Sequence, residues 1–176
     1  MKFDKIVVVP SHFPPGKSAK AAYEKRLDWA KQVFKGETFE ISSLEKSANQ
    51  TVFGKEIFYK LSAASSETKF YWILGEDQWQ QLKFWKEIDQ YAGDLEWIVL
   101  VRDSKETQPS GILSKRLNRV SCAYEVAAVK PMAEISSTRI RKCIEEGALK
   151  SNELKWIPSE IKDDVIRVYK SKEDLT

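Results

Sequence analysis

A run of hydroxyl and basic residues near the C-terminal end of the chain has the clearest potential for chemistry. It reads Ile135-Ser136-Ser137-Thr138-Arg139-Ile140-Arg141. Hydroxyl residues are typical of a helix N-cap, and a helix N-terminus carries unpaired backbone N–H groups and the positive end of the dipole. Hydroxyl and guanidinium donors at that position could bind phosphate oxygens. A capped surface helix with a solvated basic turn explains the local pattern equally well, so the run alone leaves both interpretations open.

A second pattern combines a glycine, a carboxylate and an aromatic ring. Gly75-Glu76-Asp77 follows an apolar run directly, and Trp85 lies eight residues beyond Asp77. Glycine lets a ligand approach the backbone, and a carboxylate can accept hydrogen bonds from ribose hydroxyls. A tryptophan at the same cleft could stack on a flat ring. Taken singly, Trp85 fits core packing better, because the chain has six tryptophans, and Asp77 fits an ordinary helix cap.

The elements that must position these groups alternate between strands and helices. Short apolar runs predict strands, and apolar residues at helical spacing predict helices. The predicted strands are 6–9, 38–44, 70–74, 97–101 and 123–129; the predicted helices are 19–34, 51–64, 79–91 and two closing helices, the second starting at Pro158. Residues 103–109 are predicted to form a polar surface loop. This alternation indicates an α/β fold with a parallel sheet, in which ligands bind at the carboxyl ends of strands.

Composition restricts the functional class. The 176 residues predict a single domain over 1–176. A net charge of +3 without a basic stripe gives no case for nucleic acid, and no apolar run approaches the ~18 residues of a membrane span. Cys122 and Cys143 lack metal-ligand spacing, which favours a reducing cytoplasm without a metal site. His12 is the sole histidine, so a mechanism that needs two histidines from one chain is excluded.

Taken together, the motifs resemble the nucleotidylyltransferase superfamily and, within it, the bacterial nicotinate-nucleotide adenylyltransferases. The resemblance spans residues 6 to about 170, and the 135–141 run matches the second signature of the superfamily in full. The matching pieces, in chain order, are Val8-Val9-Pro10, Pro14-Pro15, Lys17, Arg26-Leu27, Thr51-Val52, residues 74–77 with Leu82 and Trp85, Arg102, residues 135–141 and Ile157-Pro158. The resemblance implies a Rossmann-like parallel sheet flanked by helices.

The resemblance also implies a reaction and a role for each matching residue. The reaction transfers AMP from ATP, with Mg²⁺ on the triphosphate, to nicotinate mononucleotide, releasing pyrophosphate and forming nicotinate adenine dinucleotide for NAD biosynthesis. A cytoplasmic location of the chain is expected. The implied ATP-binding residues are Ser136, Ser137, Thr138, Arg141, Gly75 and Asp77. The implied acceptor residues are Trp85, which would stack on the pyridine ring, Thr51 nearby, and Lys17 and Arg102 at the phosphate channel.

One departure from the family concerns the first signature, a histidine-x-glycine-histidine turn after the first strand. It is absent, and the family's Pro-Pro-His-Lys stretch reads Pro14-Pro15-Gly16-Lys17. His12 does not replace the motif, because it follows what corresponds to the family's second strand. The chain is therefore predicted to lack a first βα unit of roughly 30 residues, including a central strand. No catalytic residue is assigned on this basis.

Three explanations of the missing βα unit and three rival functions remain open. The N-terminus is truncated, or the chain is a short paralogue that repairs its sheet, for example as a homodimer, or its nucleotide site serves binding alone. The rival functions are a catalytically inactive nucleotide-binding relative, a transferase with another acceptor such as nicotinamide mononucleotide or phosphopantetheine, and a flavodoxin-like or dehydrogenase domain. The last is disfavoured, because no G-x-G-x-x-G run follows any strand.

Overall fold

The computed structural model describes residues 2–16, 18–63, 67–101, 112–117, 120–128, 136–148, 150 and 152–170. In chain order, the strands and α-helices are β1 Ile6–Val8, α1 Tyr23–Val33, β2 Phe39–Ile41, α2 Gly54–Ser62, β3 Tyr71–Gly75, α3 Glu76–Gln81, β4 Glu96–Val101, β5 Ile112–Leu117, β6 Val120–Ala128, α4 Ser137–Glu145 and α5 Lys162–Lys170. They form two compact units, Met1–Val52 with Ile135–Thr176, and Phe53–Glu134. The single domain over residues 1–176 stays a prediction.

The first unit contains a two-stranded parallel sheet and the helices α1, α4 and α5. Strands β1 and β2 pair with Ile6 opposite Phe39, and α1 forms the crossover that a parallel pair requires. The helices bury an apolar cluster beside them. Its buried members are Ala21, Trp29, Ile144, Leu154, Ile157 and Val165. Leu154 comes from a short 3₁₀ helix, Asn152–Trp156, which the sequence pattern did not predict.

The second unit is built on a four-stranded sheet in the order β3-β4-β6-β5. Strands β3, β4 and β6 are parallel, and β5 is antiparallel to β6. Trp97 of β4 is fully buried and its indole N–H donates to the Ala92 carbonyl at 3.1 Å, so the polar atom of this large side chain is satisfied inside the core. The parallel strands confirm the predicted α/β class.

One sequence prediction for the second unit is wrong, and one strand of this unit was not predicted. Residues 79–91 do not form one helix, since α3 ends at Gln81 and is followed by the 3₁₀ turns Leu82–Phe84 and Ile88–Gln90. Glu87 has φ = 55°, a left-handed conformation that a right-handed helix cannot contain. The apolar period of this stretch instead reflects burial of Leu82, Ile88 and Tyr91 in one cluster. Strand β5 was not predicted, because charged residues interrupt its apolar alternation.

Both sheets have an open edge in the part of the chain that is described. Among the described strands, β1 pairs with β2 alone, and β3 pairs with β4 alone. Ile73 of β3 is 44% exposed. The predicted loss of a first βα unit stays a prediction. The 103–109 loop lies outside the described residues. None of the described helices is long and apolar enough to span a membrane.

Candidate functional site

The first turn of α4 has the predicted capped geometry. Ser136 is the N-cap in an extended backbone conformation, and its hydroxyl accepts a hydrogen bond from the Arg139 backbone N–H at 3.4 Å. Ser137 and Thr138 occupy the first two helical positions, where backbone N–H groups have no partner within the helix. The sequence prediction of a polar N-cap is therefore confirmed. Ile135, the first residue of the motif, lies outside the described residues.

The two arginines of this turn have different partners. The guanidinium of Arg141 donates to the Thr138 hydroxyl at 3.2 Å, which places these side chains on one helix face, three positions apart. Arg139 instead forms an ion pair with Glu153 at 2.7 Å. A cation, two hydroxyl groups and a helix N-terminus at one place form an arrangement that suits phosphate oxygens.

The end of β3 brings Gly75 and Asp77 together. Gly75 is both the last residue of β3 and the N-cap of α3, and its φ of −77° is open to any residue. A Cβ atom at this position would lie 2.8 Å from the Asp77 carboxylate oxygen. The Asp77 carboxylate therefore lies directly beside the Gly75 backbone. Asp77 is exposed and follows the carboxyl end of a parallel strand.

Trp85 is partly buried and held in place by the core of the second unit. Its ring packs edge-on against Trp72 and Trp97, with centroids 5.8 and 6.4 Å away. It also lies over Gly54, where a Cβ atom would come within 3.2 Å of the indole and 2.7 Å of the Tyr91 hydroxyl. Trp85 thus combines core packing with partial exposure. Burial raises the pKa of Tyr91 to about 12, so this hydroxyl stays neutral in the core.

Thr51 lies in the first unit, where it lines a cavity of about 470 Å³. The wall of this cavity also includes His12, Phe13, Tyr23 and Arg26, none of which the sequence placed in the site. His12 and Phe13 had one signal, their position in the loop after a predicted strand, where ligands of α/β folds bind. Tyr23 and Arg26 lie in α1 and had no such signal.

The predicted site residues therefore fall into local groups in two units. Ser136, Thr138 and Arg141 come together at α4; Gly75 and Asp77 come together at β3. Lys17 and Arg102 lie outside the described residues. Within the described ranges, no three His, Cys, Asp or Glu side chains gather as a metal site would require.

Comparison with known proteins assigns the family. Residues 2–143 match the family described as cytidylyltransferase-like. The chain belongs to the cytidylyltransferase-like family. This membership confirms the resemblance to nucleotidylyltransferases that the motifs indicated.

Named relatives of this cytidylyltransferase-like chain share one description. A probable nicotinate-nucleotide adenylyltransferase of Thermotoga petrophila is 31% identical over 96% of this chain and 83% of its own length. A protein of the same description from Aliarcobacter butzleri is 27% identical over 99% of this chain and 85% of its own. The solved Plasmodium falciparum nicotinic acid mononucleotide adenylyltransferase complexed with NaAD superposes with a TM-score of 0.68, covering 93% of this chain and 80% of its own, at 16% identity. This structural likeness confirms the Rossmann-like fold.

Proposed function

We propose that the chain is an adenylyltransferase that transfers AMP from ATP to nicotinate mononucleotide, forming nicotinate adenine dinucleotide and pyrophosphate. The observation that carries the proposal is the 31% identity with the Thermotoga petrophila relative over 96% of the chain. The geometry of the α4 N-terminus supports it, because adenylyl transfer needs a place where several phosphate oxygens are neutralised together.

The chemistry requires positioning and charge stabilisation. A 5′-phosphate oxygen of the mononucleotide attacks the α-phosphorus of ATP, a new P–O bond forms, and the bond to the bridging oxygen of pyrophosphate breaks. Attacking and leaving oxygens must be in line, and no covalent enzyme intermediate is needed. Ser136, Ser137 and Thr138 would donate to the triphosphate, and Arg141 would stabilise the charge that builds up on the leaving pyrophosphate.

The acceptor and ribose contacts are proposed from the remaining residues. Trp85 would hold the pyridine ring by stacking, with Thr51 on the acceptor side. Asp77, which lies beside Gly75, would accept hydrogen bonds from a nucleotide ribose. Lys17 and Arg102 would supply positive charge to the phosphates. The fixed orientation of the Trp85 ring supports its part, since a stacking platform that is held by the core loses little entropy on binding.

Mg²⁺ is proposed to enter as the complex with ATP. Magnesium commonly keeps water and substrate phosphates as ligands, with few ligands from protein. Bound in this way, Mg²⁺ would neutralise triphosphate charge. We further propose that the reaction takes place in the cytoplasm and that the assembled state is a homodimer.

Product analysis tests the proposal directly. The chain is mixed with ATP, Mg²⁺ and nicotinate mononucleotide, and the dinucleotide and pyrophosphate are quantified by chromatography. Equal amounts of both products are expected. ATP binding without either product would instead favour a binding-only relative. If products formed with nicotinamide mononucleotide and none formed with nicotinate mononucleotide, nicotinamide mononucleotide would be the acceptor.

A further inference from the structure

The loop after β1 is held by a buried carboxylate. Among the described residues, Glu45 is the charged side chain with full burial, at 1% exposure. Its carboxylate accepts hydrogen bonds from the His12 backbone N–H at 2.7 Å and the Ser11 hydroxyl at 3.1 Å. Burying a charge is costly unless hydrogen bonds compensate it. Glu45 thus uses its buried charge to fix two residues that follow β1.

Arg26 holds the same two residues from the carbonyl side. Its guanidinium donates to the His12 carbonyl at 3.2 Å and to the Ser11 carbonyl, while its Nε–H donates to the Ala21 carbonyl at 3.0 Å. Glu45 thus binds the Ser11 hydroxyl and the His12 N–H, and Arg26 binds the carbonyl oxygens of both residues. The backbone of this loop is therefore fixed by two charged side chains that lie 33 and 14 residues from His12.

The His12 ring is fixed as firmly as its backbone. It stacks on Phe13 at 4.3 Å and on Tyr23 at 4.5 Å. Two rings cannot both stack at these distances on one face, so they cover opposite faces and leave the imidazole edge for contact. Nδ1 lies 3.1 Å from the Glu45 carbonyl oxygen. A carbonyl only accepts hydrogen bonds, so Nδ1 carries the proton and Nε2 of the neutral ring is an acceptor.

Nε2 has no hydrogen-bond partner among the residues described in the structure, and His12 lines the cavity that Thr51 also lines. A ligand group that pairs with it must be a donor. In nicotinate mononucleotide, the carboxylate and the ionised phosphate are acceptors and the pyridinium nitrogen has no proton. The ribose hydroxyls are the donors that remain.

We propose that Nε2 of His12 accepts a hydrogen bond from a ribose hydroxyl of the acceptor mononucleotide. This inference rests on the proposed function and assigns to His12 a binding role on the acceptor side. Glu45 and Arg26 are positioning residues, because they act on the ligand through His12.

The test uses His12→Phe with Tyr169→Phe as the matched control. His12→Phe keeps a ring in the stack and removes the acceptor. The KM for nicotinate mononucleotide is expected to rise about three- to tenfold, the loss of one hydrogen bond, with little change in kcat or in the KM for ATP. Tyr169→Phe removes one polar group from an aromatic ring of the same unit that does not line the cavity, and it is expected to leave the three constants unchanged.

Deoxyribose analogues separate a direct contact from a structural effect. For the wild-type chain, the KM of either the 2′-deoxy or the 3′-deoxy mononucleotide is expected to be higher than that of nicotinate mononucleotide by the same factor. For His12→Phe, that analogue is expected to cause no further rise in KM. The inference would be overturned if both analogues raised the KM of His12→Phe by the same factor as that of the wild-type chain, so that the effects were additive. An unchanged KM in His12→Phe would also overturn it. Calorimetric binding of nicotinate mononucleotide gives the same comparison without turnover. An inactive wild-type chain that shows this pattern in binding would refute the proposed function alone, and a wild-type chain that binds no mononucleotide would refute both.

Discussion

Arg139 and Arg141 lie two positions apart on α4, yet their surroundings leave them differently able to bind phosphate. Arg139 is paired with the Glu153 carboxylate, whereas Arg141 donates to the neutral Thr138 hydroxyl. A guanidinium that already faces a carboxylate must lose that partner, or share it, to bind phosphate. Arg141 keeps its full charge available beside the α4 N-terminus. At the scale of single residues, partner chemistry therefore distinguishes two arginines that the sequence motif presents together.

Replacing Arg141 with alanine should weaken ATP binding by about 1.5–3 kcal/mol, the range for hydrogen bonds to charged groups. The dissociation constant from calorimetry measures this loss. Arg139→Ala removes the same formal charge from the same turn and serves as the control, with a clearly smaller loss expected. Equal losses in the two variants would mean that net charge alone attracts ATP, and an unchanged affinity in a folded Arg141→Ala variant would remove it from the site.

Replacing Trp85 with alanine should raise the KM for the mononucleotide strongly and the KM for ATP little, since its ring is assigned to the pyridine. Because the ring also packs over Gly54 and against Trp97, the variant is expected to lose stability as well. Trp85→Phe keeps an aromatic face with a smaller volume. Its KM for the mononucleotide should lie between the values of the wild-type chain and Trp85→Ala. Steady-state kinetics with both substrates provides the measurement.

The control for Trp85 is Trp156→Ala. Trp156 is 43% exposed, lies in the other unit and has no assigned role, so both KM values should stay at the wild-type level. If Trp85→Ala raised the KM for ATP as much as that for the mononucleotide, the stacking assignment would be wrong, and the residue would be part of the core only.

At the scale of elements, α1 and α5 are joined by one carboxylate. Asp164 of α5 accepts a hydrogen bond from the Trp29 indole of α1 at 2.7 Å, and it forms ion pairs with Lys25 of α1 and Arg167 of α5. Hydrogen bonding to Arg167, then to Trp29 and Lys25, holds the pKa of this carboxyl well below its ordinary value. The ionised form of Asp164 thus stabilises the packing of the two helices.

The consequence is a stability that depends on pH in the acidic range. The pKa of Asp164 is lower in the folded state than the value of about 4 of the unfolded chain. Its contribution is therefore fully present above about pH 4 and is lost as the pH falls from there towards the folded pKa. Urea unfolding between pH 2.5 and 7 should show the free energy of unfolding declining below about pH 4, and Asp164→Asn should remove part of that slope.

Asp163→Asn is the matched control, because its exposed side chain forms no ion pair among the described residues. The slope of the wild-type chain should persist in this variant. If Asp163→Asn and Asp164→Asn changed the slope equally, the cause would lie in the net charge of α5, and the contacts of Asp164 with α1 would have no special effect.

How far the sequence predicts these elements depends on how local their causes are. The β-branched run of β1 and the hydroxyl cap of α4 act within a few residues, and both predictions are confirmed. The 79–91 helix was wrong, because the same apolar spacing is produced by successive turns around one buried cluster. Contacts of Glu45 and Arg26 with His12 join residues from separate elements, so no local pattern reveals them. The sequence therefore predicted the capped first turn of α4 better than the cavity beside His12.

At the scale of the whole molecule, the chain path has a consequence for cooperativity. The first unit is made of two chain segments, and the second unit is the segment between them, so the chain passes from one unit to the other twice. Each unit also has its own buried cluster. The single domain predicted from the sequence requires that both clusters are lost together, in one transition whose calorimetric and van't Hoff enthalpies agree.

Asp164→Asn makes this prediction specific, because it weakens contacts in the first unit alone. Four of the six tryptophans, Trp72, Trp79, Trp85 and Trp97, lie in the second unit and dominate the fluorescence change on unfolding. In a single cooperative domain, Asp164→Asn must lower the midpoint of that fluorescence change as much as it lowers the midpoint of helix loss followed by circular dichroism. A fluorescence midpoint that stays at the wild-type temperature, while the dichroism transition splits, would show that the units unfold independently. The predicted single domain would then have to be replaced by two.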